Sequence, residues 1–301
     1  MKNIRYRLIH VHLTNIASRK MIYRFMLKDP TLASLYEMTP TELNLHFSLR
    51  IDTANKLHAR LKDPELKKRF IDVIKQYKII TIVDEDYPSM LRKIKDAPLV
   101  LYACGDISLL KQSKILSVIG SRKPSNEAIP KMEHILRPLV RDEWVIASGM
   151  AKGIDGYAHQ LTLDHHQKTI AVLGGGFEYI YPKEHITLFN EIRRSGLVIS
   201  EYPPFVRPAK HHFPERNRII SGISFGTLVI EAMERSGTMI TVEQALDQGR
   251  EVFAVPGSPL IPQTKGCHLL IQEGAKLTQH ASDIQEEWLS QQQLDNYKVV
   301  R

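Results

Sequence analysis

Cysteine is scarce in this sequence. The 301 residues contain two, Cys104 and Cys267, which lie far apart and outside any Cys-x-x-Cys or Cys/His ligand spacing. This argues against a disulfide framework or a zinc site and favours a reducing compartment. Long apolar runs are missing too, since the first residues, MKNIRYRLIHVHLTN, are interrupted by charges and histidine. We therefore predict a soluble, cytoplasmic protein with no signal peptide, membrane span or metal site.

The motifs of common nucleotide-binding folds are also absent. The turns GSRKPS and GGGFEYIYP lack Gly-x-Gly-x-x-Gly spacing, and the sequence contains no Gly-Lys-Ser/Thr of a P-loop. Ser121, Ser148 and Ser221 stand in no nucleophile elbow, and the histidines have no partners at metal-ligand spacing. NAD- or ATP-dependent chemistry is disfavoured, and we expect no cofactor.

The composition is that of a globular protein, with 43% hydrophobic and 25% charged residues. Lys and Arg exceed Asp and Glu by 8, a positive excess that is compatible with nucleic acid as a partner. Residues 1–75 repeat leucine and isoleucine at helical spacing and are punctuated by Asp-Pro and Thr-Pro pairs. This pattern predicts a small helical domain.

The remaining chain alternates short apolar runs with amphipathic segments. Two short strands are predicted at 79–83 and 99–103, before the regular alternation begins at residue 114. The expected strands are 115–120, 144–148, 169–174, 197–200, 227–231 and 251–257, and the expected helices lie near 126–141, 155–167, 185–195, 213–222 and 238–249. Glycine-bounded apolar strands alternating with helices predict an α/β fold with a doubly wound, mostly parallel sheet over residues 76–285. Residues 286–301 are expected to form a short tail.

Small and cationic residues follow several of these strands. In a parallel α/β sheet, ligands bind outside the carboxyl ends of the strands, where helix N-termini present free amides. Glycine lets an anion approach the backbone, and the arginine fork matches phosphate. The sequence therefore predicts an anion site built from Gly120, Ser121, Arg122, Ser148, Gly149, Lys152, Gly153, Gly174, Gly175, Gly176, Phe177, Lys183, Lys210, Arg216, Asn217, Arg218, Ser221, Gly237 and Thr238.

Three of the nearby residues have two interpretations each. Asp155 begins a helix and either caps its amides or acts in catalysis. Glu231 ends a strand and could activate water or hold a ribose hydroxyl, although no second group pairs with it in the sequence. Phe177 either stacks on a base or packs in the core.

Ordered motifs over about 79–284 resemble the DNA-processing protein A (DprA/Smf) family. They are GSR (120–122), SGMAKGIDGYAH (148–159), TIAVLGGG (169–176), YPKE (181–184), SEYPP (200–204), FPERNRIISG (213–222), EAMERSGTMIT (231–241), GREVFAVPG (249–257) and GCHLLIQEGAKL (266–277). The helical N-terminus is similar in character to the sterile-alpha-motif-like domain of many members.

The resemblance implies an extended Rossmann-like domain that binds single-stranded DNA and loads RecA recombinase onto it. In natural transformation such a protein protects the incoming DNA, without enzymatic activity. It also implies DNA contacts at Arg122, Lys183, Lys210, Arg216 and Arg218. A homodimer is implied as well, for which the candidates here are Leu246 in the 238–249 helix, Cys267 and His268.

Two departures from the family pattern stand out. We expect no winged-helix domain after residue 301, and Pro204-Phe205 stands where the family has a glycine. Two alternatives remain. A nucleoside-monophosphate phosphoribohydrolase of the lysine-decarboxylase-like group shares the architecture, but its PGGxGT turn is absent before strand 227–231. A small-ligand sensor would bind a nucleotide tightly without turnover.

Overall fold

The computed structural model describes residues 3–299. Six helices come first in the chain, and their caps explain where several begin. Thr39 and Glu42 form a reciprocal capping box at the start of the fourth helix, and Asp63 caps the sixth helix just before Pro64. The helices are α1 Ile4–Leu13, α2 Arg19–Lys28, α3 Ser34–Glu37, α4 Pro40–Phe47, α5 Ile51–Lys62 and α6 Pro64–Gln76.

A nine-stranded sheet follows, in the spatial order β1-β2-β6-β5-β4-β3-β7-β8-β9. The first two strands pair antiparallel, and β2 pairs antiparallel with β6, whereas every other neighbouring pair is parallel. The strands are β1 Lys78–Thr81, β2 Val100–Gly105, β3 Ile115–Ile119, β4 Val145–Ser148, β5 Thr169–Leu173, β6 Leu197–Ser200, β7 Gly226–Val229, β8 Glu251–Ala254 and β9 Lys276–Leu277.

Helices cover both faces of this sheet. They are α7 Ser89–Arg92, α8 Ala128–Arg141, α9 Ile154–Asp164, α10 Ile186–Ser195, α11 His212–Gly222, α12 Gly237–Asp247, α13 Lys265–Gln272 and α14 Ala281–Val299. In β3, Leu116 and Val118 pack with α8 and α9, while Ile115 and Ile119 share a core with α11 and α12. The predicted doubly wound α/β fold is confirmed.

The N-terminal helices pack against the same sheet. Their buried side chains form one continuous core with Val100 and Tyr102 of β2 and with Phe189 of α10. The predicted boundary at residue 75 falls near the end of α6, but the helices bury their apolar side against the sheet rather than only against one another.

The predicted tail at 286–301 needs correction. It is helical through Val299 as the second half of α14, and residues 300–301 lie outside the described residues. Trp288 packs edge-on against Trp144, with ring centroids 5.9 Å apart, and Lys114 lies over its indole. This contact fixes the helix to the sheet domain.

Both cysteines are free thiols, Cys104 half-buried and Cys267 buried. Within residues 3–299, no helix is both long enough and apolar enough to cross a bilayer.

Candidate functional site

A cleft of about 690 Å³ opens at the carboxyl ends of the central strands. It lies where the strand order reverses, because β3 continues to β4 in one direction and borders β7 in the other. The helices that follow these strands leave on opposite faces, which opens a crevice between their N-termini. The cleft is lined by residues 119–123 at the end of β3 and in the turn after it, by the start of α9, by the N-terminal half of α11 and by the start of α12.

The turn after β3 is held by its neighbours. The amide of Ser121 donates to the carbonyl of Glu231 at 2.8 Å, and the amide of Ile154 donates to the carbonyl of Ser121 at 3.2 Å. Gly153 has φ +76°, and a Cβ there would lie 2.3 Å from the Ser121 carbonyl oxygen. Only glycine accommodates both this backbone conformation and this approach. The Gly120–Arg122 turn is thus fixed between the ends of β4 and β7.

Three exposed cations line the cleft. The side chains of Arg122, Lys123 and Lys210 have no hydrogen-bond or ion-pair partner within residues 3–294. Helix α12 adds its N-terminus beside them, with Gly237 open to solvent and the Ser236 hydroxyl buried without a partner. Free helix amides and unpaired cations favour an anion.

The floor of the cleft contains a buried pair of charges. Arg216 is 4% exposed, and its guanidinium donates to the carbonyls of Gly149 and Val172. Burial lowers the pKa of Arg216 to about 10, although the neighbouring Asp155 carboxylate opposes this. Burial likewise raises the pKa of Asp155, an effect that Arg216 and the amide of Gly149 oppose. Of the two interpretations of Asp155, the structure supports the one in which its carboxylate satisfies backbone amides.

An aromatic side chain that the sequence reasoning did not select stands at the cleft. Tyr181 is 54% exposed, and its ring packs against Phe213 with centroids 5.6 Å apart. Exposed Met233 and Ile240 lie on the α12 side of the same cleft. Tyr181 begins the Tyr-Pro-Lys-Glu motif, of which only Lys183 is predicted from the sequence to lie in the site. The position of Tyr181 in that motif is a sequence signal that could have indicated it.

Several predicted site residues lie outside the cleft. Ser148 is buried and donates to the Val118 carbonyl at 2.6 Å, and Ser221 is buried within α11. Gly174, Gly175 and Gly176 are also buried. A Cβ on Gly176 would lie 2.2 Å from the carbonyl oxygens of Pro203 and Pro204, so close backbone packing accounts for this glycine.

Two predicted lysines lie next to the cleft. Lys183 is exposed on the 3-10 turn Lys183–His185, two residues after Tyr181. Lys152 is exposed on the loop before α9 and pairs with Glu184 at 2.5 Å. Both belong to the surface beside the lining residues.

Arg218 and Phe177 also lie away from the cleft lining. Arg218 is 6% exposed and pairs with buried Glu201 at 2.5 Å, away from the cleft lining. Phe177 is 7% exposed and packs against Tyr77 and Phe189. The packing interpretation of Phe177 is therefore the one that the structure supports, because the ring has no free face for a base.

The three residues predicted for a dimer interface differ in their exposure. Cys267 is fully buried beneath the end of β7, and the Nε2 of His268 lies 3.0 Å from the carbonyl oxygen of Gly257, which accepts its hydrogen bond. Leu246 on α12 is 59% exposed. Of the three, only Leu246 presents a large apolar surface to solvent.

The carboxylate of Glu231, just after β7, already has hydrogen-bond partners within the protein. Glu231 is fully buried, and its carboxylate accepts from the amide of Ser125 at 2.8 Å and from its hydroxyl at 2.5 Å, with Lys131 at 3.8 Å. Glu231 therefore holds the loop before α8. The structure thus gives this carboxylate hydrogen-bond partners that the sequence did not indicate.

Comparisons with known proteins agree with this architecture. The family model of DNA recombination-mediator protein A matches residues 78–289. DNA processing protein DprA of Bacillus subtilis is 45% identical over 208 residues, covering 69% of this chain and 70% of that protein. DNA processing protein DprA of Streptococcus pneumoniae is 44% identical over 229 residues, covering 76% of this chain and 79% of that protein.

Two solved structures extend the likeness to three dimensions. The crystal structure of DNA processing protein A from Streptococcus pneumoniae superposes with a TM-score of 0.84 at 36% identity, covering 95% of this chain and 99% of that one. The protein from Helicobacter pylori, described for its single-stranded DNA binding mode, superposes with a TM-score of 0.65 at 27% identity, covering 72% and 97%. With a family model over most of the chain and relatives well above 30% identity, this chain belongs to the DNA recombination-mediator protein A family.

Proposed function

We propose that this protein binds single-stranded DNA in the cleft at the carboxyl ends of β3 and β4. The observation that carries the proposal is that Arg122, Lys123 and Lys210 lie together beside the free N-terminus of α12. All three are exposed, and none has a partner among the side chains that the structure describes. Membership of the family and the single-stranded DNA binding described for the Helicobacter pylori protein support it.

The chemistry of the cleft suits a flexible phosphate chain. Arg122, with its planar fork, and the amides of α12 would hold one phosphate, while Lys123, Lys210 and Lys183 would neutralise its neighbours. Tyr181 offers the face on which a base could stack, and stacking of this kind tolerates any sequence. The function is therefore binding without base-specific recognition.

The direct experiment compares single-stranded and duplex DNA of matched length by fluorescence anisotropy over a range of salt. The single strand is expected to bind more tightly, because only unpaired bases can reach Tyr181. Equal affinity for the two forms would contradict the single-strand preference.

In the cell we propose that the bound strand is passed to RecA recombinase during natural transformation and homologous recombination. The family membership supports this role. It predicts that the protein speeds RecA filament formation on DNA coated with single-strand-binding protein, and that Arg122→Ala weakens this stimulation. If RecA filaments formed at the same rate with and without the protein, this role would be rejected.

We further propose a cytoplasmic homodimer that uses the α12 surface around Leu246. Light scattering should give twice the monomer mass for the natural protein and the monomer mass for Leu246→Asp. A monomer in both cases would exclude this dimer.

A further inference from the structure

The net charge of the chain is confined to its N-terminal helices. Residues 1–76 contain 15 Lys and Arg against 7 Asp and Glu, a net charge of +8, whereas the remaining 225 residues contain 26 of each sign. The domain that contains the cleft is thus neutral overall. A clustered positive excess is the electrostatic signature of a surface that binds nucleic acid.

One contact joins these helices to the edge of the cleft. The guanidinium of Arg69 on α6 lies over the ring of Phe205, 4.5 Å from its centroid. Phe205 belongs to the segment that runs to Lys210 in the cleft, and Arg207 between them lies over Tyr179 at 4.7 Å. Five residues span at most about 17 Å, so Arg69 lies within a few nucleotides of the cleft.

The exposed side of α6 continues this line of charge. Lys68 and Lys75 lie seven residues apart on one face of the helix, about 100–120° around the helix axis from Arg69. Both are exposed, and neither has an ion-pair partner in the described part of the chain, although the acids Glu65 and Asp72 share the solvent side. Arginine stacked on an aromatic ring and open lysines are typical of surfaces that follow a single strand.

We propose that single-stranded DNA leaving the cleft past Lys210 continues over Arg207 and Arg69 onto the α6 surface, defined here by Lys68 and Lys75. The N-terminal helices are then a second DNA-contacting surface, which raises the affinity for long strands and is not reached by short ones. This inference rests on the proposed function of the cleft.

The test uses the full chain with oligothymidylates of about 6 and about 25 nucleotides, the shorter chosen to fill the cleft alone. The Lys68→Gln/Lys75→Gln and Arg69→Gln/Arg207→Gln variants should each bind the long strand about tenfold more weakly near 0.15 M salt. Their salt slopes should fall by about 1.4, since each lost phosphate contact removes about 0.7. Binding of the short strand should stay unchanged.

The matched control is Arg141→Gln/Lys168→Gln. It removes two exposed cations that precede β4 and β5, at the amino ends of the strands and opposite the cleft. The affinity for both oligonucleotides should stay unchanged. The lysine pair also guards against a packing artefact, because neither lysine contacts the Phe205 segment through a hydrogen bond or ring contact.

Two outcomes would overturn the inference. One is that both double variants bind the long strand as tightly as the natural protein does. The other is that they lose affinity equally for the long and the short strand. Neither bears on the cleft itself, because Arg122→Ala acts on the short strand. If Arg122→Ala bound the short strand with unchanged affinity, the proposed function itself would be rejected.

Discussion

The guanidinium of Arg216 donates a hydrogen bond to the carbonyl oxygen of Gly149 and so fastens α11 to the end of β4. A second bond from the same nitrogen reaches Val172 at the end of β5. The cation that the sequence offered as a DNA contact therefore lies under the floor of the cleft. Its charge is balanced by Asp155, and the exposed cations above it remain free to meet a ligand.

Loss of Arg216 should damage the fold more than the binding surface. Arg216→Ala would remove the buried positive charge that opposes the raised pKa of Asp155, together with both hydrogen bonds that the guanidinium donates to backbone carbonyls. We expect the free energy of unfolding to fall by about 3–5 kcal/mol. Urea denaturation measures this, and Arg122→Ala, which removes an exposed arginine, should leave the midpoint unchanged. If Arg216→Ala unfolded at the same urea midpoint as the natural protein, the structural role of Arg216 would be refuted.

Arg218 and Glu201 should behave as one unit. Removing either partner leaves a buried charge alone, so each single alanine variant is expected to cost about 3–5 kcal/mol. The double variant should cost less than the sum of the two, as thermal or urea unfolding in a double-mutant cycle would reveal. Folded Arg218→Ala should keep its DNA affinity, because the side chain is outside the cleft. A loss of affinity in the folded variant would return Arg218 to the DNA site.

Substitutions of Tyr181 and of Phe177 should have different effects, the first on DNA binding and the second on stability. Tyr181→Ala is expected to weaken single-strand binding by about 1–3 kcal/mol without altering the salt slope, because a stacked base carries no phosphate charge. Tyr181→Phe should retain the affinity. Phe177→Ala should instead lower the free energy of unfolding by about 3–5 kcal/mol. The stacking role fails if Tyr181→Ala binds as the natural protein does.

Acid should destabilise the packing of the N-terminal helices through two histidines of α1. Burial lowers the pKa of His10 and of His12 to about 4, from about 6.5 in the unfolded chain. The unfolded chain takes up these protons first, so stability is complete above about pH 6.5 and falls as the pH drops towards 4. Each histidine contributes a slope of about 1.4 kcal/mol per pH unit.

Urea midpoints between about pH 7 and 4.5 test this, and His12→Asn should lower the slope by about 1.4 kcal/mol per pH unit. Exposed His166 provides the control. It has φ +55°, a conformation that asparagine tolerates, so His166→Asn should leave the slope intact. An identical slope in His12→Asn would contradict the assignment.

The sequence predicted the sheet better than it predicted the side chains at its edge. Short apolar strands, ended by glycines such as Gly120 and Gly149, alternate with amphipathic helices along the sequence. This local pattern predicts the parallel sheet and the end of the strands at which the cleft lies. Which face of a helix turns inward depends on packing between distant segments. Arg216 and Arg218 are two positions apart, so on a helix they point about 200° apart and cannot both face one cleft.

Other differences have the same origin. The helix at the end of the chain docks because Trp288 meets Trp144, a contact between segments far apart in sequence. Glu231 had no partner at short sequence range, yet Ser125 satisfies it across the sheet. The glycines after β5 resemble an anion loop in sequence. In the structure the Phe213 ring, Pro208 and the Pro203–Pro204 backbone lie where side chains on Gly174, Gly175 and Gly176 would be.

The central claim is that exposed cations around the cleft hold the phosphates of a single strand. The most direct measurement is the salt dependence of single-strand binding for the natural protein and for Arg122→Ala, Lys183→Ala and Lys210→Ala, with Arg141→Ala as the control. For a strand short enough to occupy only the cleft, about four phosphate contacts predict a slope near −3. Each of the three variants should weaken binding and reduce the slope by about 0.7, while Arg141→Ala changes neither. A slope that stays the same in all three variants would contradict the account.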